Sequence, residues 1–118
     1  MSTTGRSRAL LALLGGSGVL HLVRPRSYES LVPPELGAAR PWVIGSGVAE
    51  LGTAALLALP GTRRAGGWAA AALLAGFVPA HLHTVRLVWG RPGPTAVAVA
   101  RLPLQWPLLQ AALRVARG

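Results

Sequence analysis

Four apolar runs, at 9–23, 42–59, 65–85 and 95–115, carry few charges, and nearly all of the arginines fall between or beside them. Runs of this length restrict the available folds severely. At about 1.5 Å of helical rise per residue the longer ones match a hydrocarbon core of about 30 Å, and a helix satisfies its own backbone polar groups in lipid. The first run is short, so its flanks must snorkel or the bilayer must thin. The pattern predicts an all-α integral membrane four-helix bundle, a single transmembrane domain over residues 1–118. Composition agrees with this: 52% hydrophobic residues, 13% charged residues and a mean hydropathy of +0.47 are too apolar for an ordinary soluble chain of 118 residues.

The formal charge of +9 raises the question of nucleic acid. Nucleic-acid binding needs basic residues gathered on one solvated face, whereas these arginines cap hydrophobic segments, so no nucleic-acid partner is expected. All the basic residues are arginine, which with the abundant Ala, Gly and Pro resembles the composition of a GC-rich bacterial genome. The absence of cysteine excludes disulfides, thiolate nucleophiles and Cys-based metal sites. The N-terminal MSTTGRSRALLALLGGSG has the basic start and apolar centre of a secretory signal, but no small-x-small triplet ends the run before His21, and it reads as a retained first span. With four spans, Arg6, Arg8, Arg63, Arg64, Arg114 and Arg117 share one side against Arg24, Arg26, Arg40, Arg86 and Arg91 on the other. This margin and the compact PGTRR turn place both termini in the cytoplasm of a multi-pass cell-membrane protein. The proline-rich connection at 24–41 then faces outward, with Tyr28, Leu31 and Val32 giving it an apolar side along the interface.

The polar residues within the spans lie at one depth. His21, Glu50, His81, His83, Arg101 and Gln105 all belong to the leaflet opposite the termini, while the other half is almost wholly Ala, Leu, Val and Gly. On a helical wheel Ser46, Glu50 and Thr53 fall within about 60°, and so do Arg101, Gln105 and Leu108. A charge in mid-span costs about 2.5–3.5 kcal/mol on insertion scales, so it faces the interior and finds a partner. Glu50 and Arg101 are therefore expected to form an ion pair, with Gln105, Ser46, His21 and His81 around it. Such a pair either fixes helix register or walls a small polar pocket. Two histidines from different spans can ligate haem, or a metal together with Glu50, but His81 and His83 sit about 200° apart on a helix, so hydrogen-bonded histidines and no metal are the expectation. The prolines Pro79, Pro103 and Pro107 are expected to kink their helices near Ala75, Val99 and Pro103. The small-xxx-small pairs Gly45/Ala49, Gly66/Ala70 and Ala72/Gly76 are expected to bring helices into close contact.

Taken in order, GVLHLVRP at 18–25, VPP at 32–34, SGVAELG at 46–52, LPGTRR at 59–64, FVPAH at 77–81 and RLPLQ at 101–105 resemble the DoxX-like family of small four-helix bacterial membrane proteins. The resemblance spans most of the chain and implies His21, Glu50, Arg101 and Gln105 as characteristic polar positions. It departs at His81, where similar proteins carry asparagine. The family is named for a small membrane subunit of a thiosulfate:quinone oxidoreductase. The resemblance thus implies a membrane subunit or a quinone- or lipid-binding module beside a redox enzyme partner, with no catalytic residue of its own. The ligand-binding set is His21, Ser46, Glu50, His81, Arg101 and Gln105, quinone is the one cofactor that suits it, and a homo-oligomer is compatible with it. The alternative is a small transporter or proton-coupled carrier in which Glu50 and the histidines form a relay.

Overall fold

Ser2 starts the first helix, its Oγ accepting from the Gly5 amide at 3.0 Å, one of the amide groups a helix start leaves without a partner. The computed structural model of the chain describes residues 2–118. Helix α1, Thr3–Val23, takes up the first apolar run together with the polar residues before it. The connection that follows cannot continue as a helix through its prolines. It makes one short turn, α2 at Arg26–Glu29, and a 3₁₀ turn at Pro34–Leu36, and is released into the next helix by Gly37 at φ +87°. Glu29 of α2 pairs with Arg40 at the start of α3, Ala39–Ala58, and so ties the connection to the helix it leads into.

The PGTRR turn is capped by Thr62, whose Oγ1 donates to the Leu56 carbonyl at 2.7 Å, and it reverses the chain into α4, Arg63–Gly76. The third apolar run is interrupted at Phe77, and α5, Val78–Val88, continues beyond. Pro79 has no N–H to offer the Ala75 carbonyl, so the expected disturbance takes the form of a one-residue irregularity. Phe77 keeps helical dihedrals, and bonds from its amide to the Leu73 carbonyl (2.9 Å) and from the His81 amide to its own carbonyl (3.0 Å) run through it. Helix α6, Pro92–Arg117, runs through Pro103 and Pro107 as one element. The fold is all-α, with no strand among the described residues.

Two stretches, Ala39–Ala58 and Arg63–Val88, are long and apolar enough to cross a membrane, each with a mean hydropathy of 1.3 over an 18-residue window. Helices α1 and α6 have comparable length.

The helices pair α1 on α3, α3 on α4, α4 on α6 and α6 on α1, which closes a ring, and α5 packs on α6. The half of the ring near the chain termini is filled by Leu10, Leu14, Leu57, Ala70, Leu74 and Val115. Ser7 enters that core with its hydroxyl donated to the Leu57 carbonyl at 2.7 Å.

Glycine sets the tightest approaches, but not at all the expected pairs. A Cβ on Gly66 would come within 2.8 Å of the Leu57 amide nitrogen, and Ala70 is fully buried, so Gly66/Ala70 is a contact face as expected. Gly45 and Gly76 meet nothing within 4 Å, and the close contact expected of their pairs is absent there. The seams are instead Gly18 against Gly47, where a Cβ on Gly18 would lie 2.9 Å from the Gly47 carbonyl oxygen, and Gly67 against α6. A Cβ on Gly67 would sit 2.4 Å from the Ala116 nitrogen.

Candidate functional site

Because Gly18 and Gly47 let α1 and α3 touch backbone to backbone, His21, one turn after Gly18, is pressed toward Glu50, three residues after Gly47. His21 Nδ1 lies 3.7 Å from Glu50 Oε2, beyond hydrogen-bonding distance. The same nitrogen is 2.6 Å from the Ser17 carbonyl oxygen, which can only accept, so Nδ1 carries the proton and donates there. Glu50 is 0% exposed, and neither of its carboxylate oxygens has a hydrogen-bond partner. A buried carboxylate left this way is costly, since desolvation is repaid only when its oxygens are met.

The ion pair expected between Glu50 and Arg101 is not formed. Arg101 Nη1 donates to Gln105 Oε1 at 2.7 Å, one turn along its own helix, and Gln105 Nε2 donates to the Leu74 carbonyl at 2.8 Å. The reason is positional. Glu50 lies on α3, which packs on α1 and α4, while Arg101 lies on α6 across the ring, where it is held by Gln105.

Both residues instead line a cleft of about 180 Å³, on α3 and α6, with the Glu50 oxygens shielded in its wall. His21, Ser46, Glu50, His81 and Arg101 all line it, so five of the six residues predicted from the sequence come together. Gln105, the sixth, stands behind Arg101 and orients it. The Ser46 hydroxyl is donated to the Trp42 carbonyl of its own helix, which leaves its oxygen lone pairs toward the cleft. The buried His81 Nε2 has no partner. His83 lies outside the cleft, on the other side of α5, with Nδ1 3.4 Å from Arg86 Nη2, as the two-residue spacing requires. Leu14 and Leu74, members of the apolar core, form the floor.

The connection after α1 covers this cleft. Tyr28 stacks on the His21 ring with centroids 4.0 Å apart and planes 17° from parallel, and Leu31 and Val32 complete the roof. Sequence reasoning missed Ser17 and Thr84, which also line the cleft. The signal for Ser17 was its place one helical turn before His21. Among the described residues no group of three or more His, Asp and Glu side chains is placed to hold a metal ion.

Chemically, the cleft offers Glu50 as an acceptor in need of donors, Arg101 as a fixed cation with N–H groups beyond the one given to Gln105, and an apolar floor and roof. Such a set suits an uncharged or zwitterionic polar head. The chain belongs to the family described as a domain of unknown function, DUF8561, whose model matches residues 10–116. No curated protein and no solved structure matches it.

Proposed function

We propose that this DUF8561 member is a DoxX-like, four-span membrane bundle with both termini in the cytoplasm. In this reading it binds the polar head of an amphiphile, a quinone or a lipid, in the cleft between α1, α3 and α6, beside a redox enzyme partner. The single observation that carries the binding reading is Glu50: a fully buried carboxylate with both oxygens unpartnered on the wall of a cleft, opposite Arg101. A residue serving only helix register would have its oxygens met. The membrane reading is supported by an inverted surface. Val97, Trp106, Val19 and Leu104 are among the large apolar side chains exposed around the outside, while Glu50, Gln105 and Thr53 are buried.

Arg101 suits a carbonyl or phosphate oxygen, and Glu50 suits a hydroxyl or ammonium group. A quinone carbonyl therefore fits the Arg101 side and leaves Glu50 unmet, whereas a hydroxyl-bearing quinol or an ammonium lipid addresses both. Thermal unfolding of purified protein in mild detergent, with and without quinones and lipids, tests the reading. Stabilisation by a ligand is expected, with its loss in His21→Ala and Arg101→Gln. Equal stabilisation in the wild type and both variants overturns the site. Co-purification of a redox enzyme tests the partner.

The second reading, a proton-coupled carrier, is favoured by one observation, the 3.7 Å approach of His21 to Glu50 on adjoining helices. Flux into vesicles that depends on Glu50 would replace the binding-module reading with this one.

A further inference from the structure

A second concavity, of about 660 Å³, lies between α3 and α4 beside the connection at 32–36, with Glu35 the one acid in its lining. It is lined by Gly45, Ala49, Ala72 and Gly76, the two small-xxx-small pairs that make no helix contact, and by Trp42, whose Nε1 donates to the Leu36 carbonyl at 2.9 Å. The groove and the Glu50 cleft adjoin: Val32, Ser46, Phe77 and Ala80 belong to the walls of both. Phe77, at the irregularity between α4 and α5, and Pro79 stand at this junction. The two compartments differ in kind. At about 30 Å³ per water, 180 Å³ accommodates a small polar head and no more, whereas 660 Å³ lies within the roughly 300–1,000 Å³ of small-molecule sites.

We infer that cleft and groove form one site for a zwitterionic membrane lipid: its ammonium faces Glu50, its phosphate faces Arg101, and its acyl chain lies in the α3–α4 groove, entered sideways from the bilayer. The inference rests on the reading of the cleft as a head-group site and adds the head's chemistry and the seat of the tail. Glu50 requires a donor, because both of its buried oxygens are unmet. Arg101 on the opposite wall makes the cleft dipolar, so an anionic head would leave the carboxylate facing a like charge. The small side chains explain the groove in turn. They admit hydrocarbon where larger residues on both helices would fill the space, and no protein segment occupies it.

Delipidated full-length protein in a maltoside detergent is titrated with phosphatidylethanolamine or phosphatidylglycerol of identical acyl chains. Bound lipid is counted by native mass spectrometry, and stabilisation is followed by thermal unfolding. Phosphatidylethanolamine is expected to bind one per chain and to stabilise. Glu50→Gln is expected to weaken it at least about tenfold and, by removing the like charge, to strengthen phosphatidylglycerol. Gly76→Leu, at a position where a Cβ meets nothing within 4 Å, fills the groove and is expected to weaken both lipids without lowering the unliganded melting temperature. In a variant retaining Trp42 as its sole tryptophan, lipid brominated along the acyl chain is expected to quench fluorescence. Tight phosphatidylethanolamine binding that survives Gly76→Leu and leaves Trp42 unquenched overturns the groove and leaves the cleft standing. Equal affinity for the two lipids, unchanged in Glu50→Gln, overturns the head assignment. Failure of every lipid and quinone to bind overturns the cleft reading as well.

Discussion

Glu50 lies at the centre of the proposed binding site and carries no hydrogen bond there. Its carboxylate is buried with no hydrogen-bond partner and meets His21 only at 3.7 Å, so it weighs on the folded state in the absence of a bound donor. Glu50→Gln is therefore expected to raise the melting temperature of lipid-free protein, by a gain of about 1–3 kcal/mol, while abolishing ligand-induced stabilisation. Thermal unfolding with and without lipid reads both effects. A double-mutant cycle of Glu50→Gln with Arg101→Gln is expected to show a coupling of about 0.5–1 kcal/mol, that of two charges sharing a cleft, because Arg101 is held by Gln105 and makes no direct ion pair with Glu50. The sequence made the layer of polar residues legible, since a charge within an apolar helix is confined to an interior and helical spacing fixes its level along the helix. It did not make the pairing legible. Which of two facing helices presents a partner to Glu50 depends on how closely α1 approaches α3, and that depends on Gly18 and Gly47 meeting across the interface. No spacing within either helix reports that registration.

At the scale of elements, the glycines divide into seams and openings, and the two classes answer substitution with opposite sign. Gly67→Ala places a methyl group 2.4 Å from the Ala116 nitrogen, a clash with backbone that only a shift of α4 from α6 relieves. A loss of about 1–3 kcal/mol is expected. Gly45→Ala adds its methyl group where nothing lies within 4 Å and is expected to be neutral or to gain up to about 1 kcal/mol from helix propensity. Thermal unfolding of the two variants side by side checks the division, and equal effects would contradict it. A small-xxx-small spacing names a helix face that permits close approach. It does not name the helix that arrives, which is why Gly66/Ala70 was legible as a contact and Gly45/Ala49 was misread as one. Pro79 was legible as a disturbance of the third run. Its place was not: the irregularity falls at Phe77, two residues before the proline, where the dihedrals stay helical.

For the molecule as a whole, the ring of helices puts the PGTRR turn and the chain end together, with Arg64 Nε 3.2 Å from the Ala116 carbonyl oxygen and Arg64 Nη2 3.4 Å from that of Arg117. Reporter fusions after Gly118 and within the turn at Gly61 are expected to report the cytoplasm, and fusions at Gly37 and Gly90 the opposite side. A periplasmic signal after Gly118 would reverse the proposed orientation. The seat of α4 is built from Gly67 on one side and from Ala112 and Ala116 on the other. Main chain meets main chain at that seat, and Arg64 ties the same two helices again a few residues away. A variant that cannot seat α6 therefore loses both fastenings together, because the carbonyls that Arg64 caps belong to the helix that Gly67 admits.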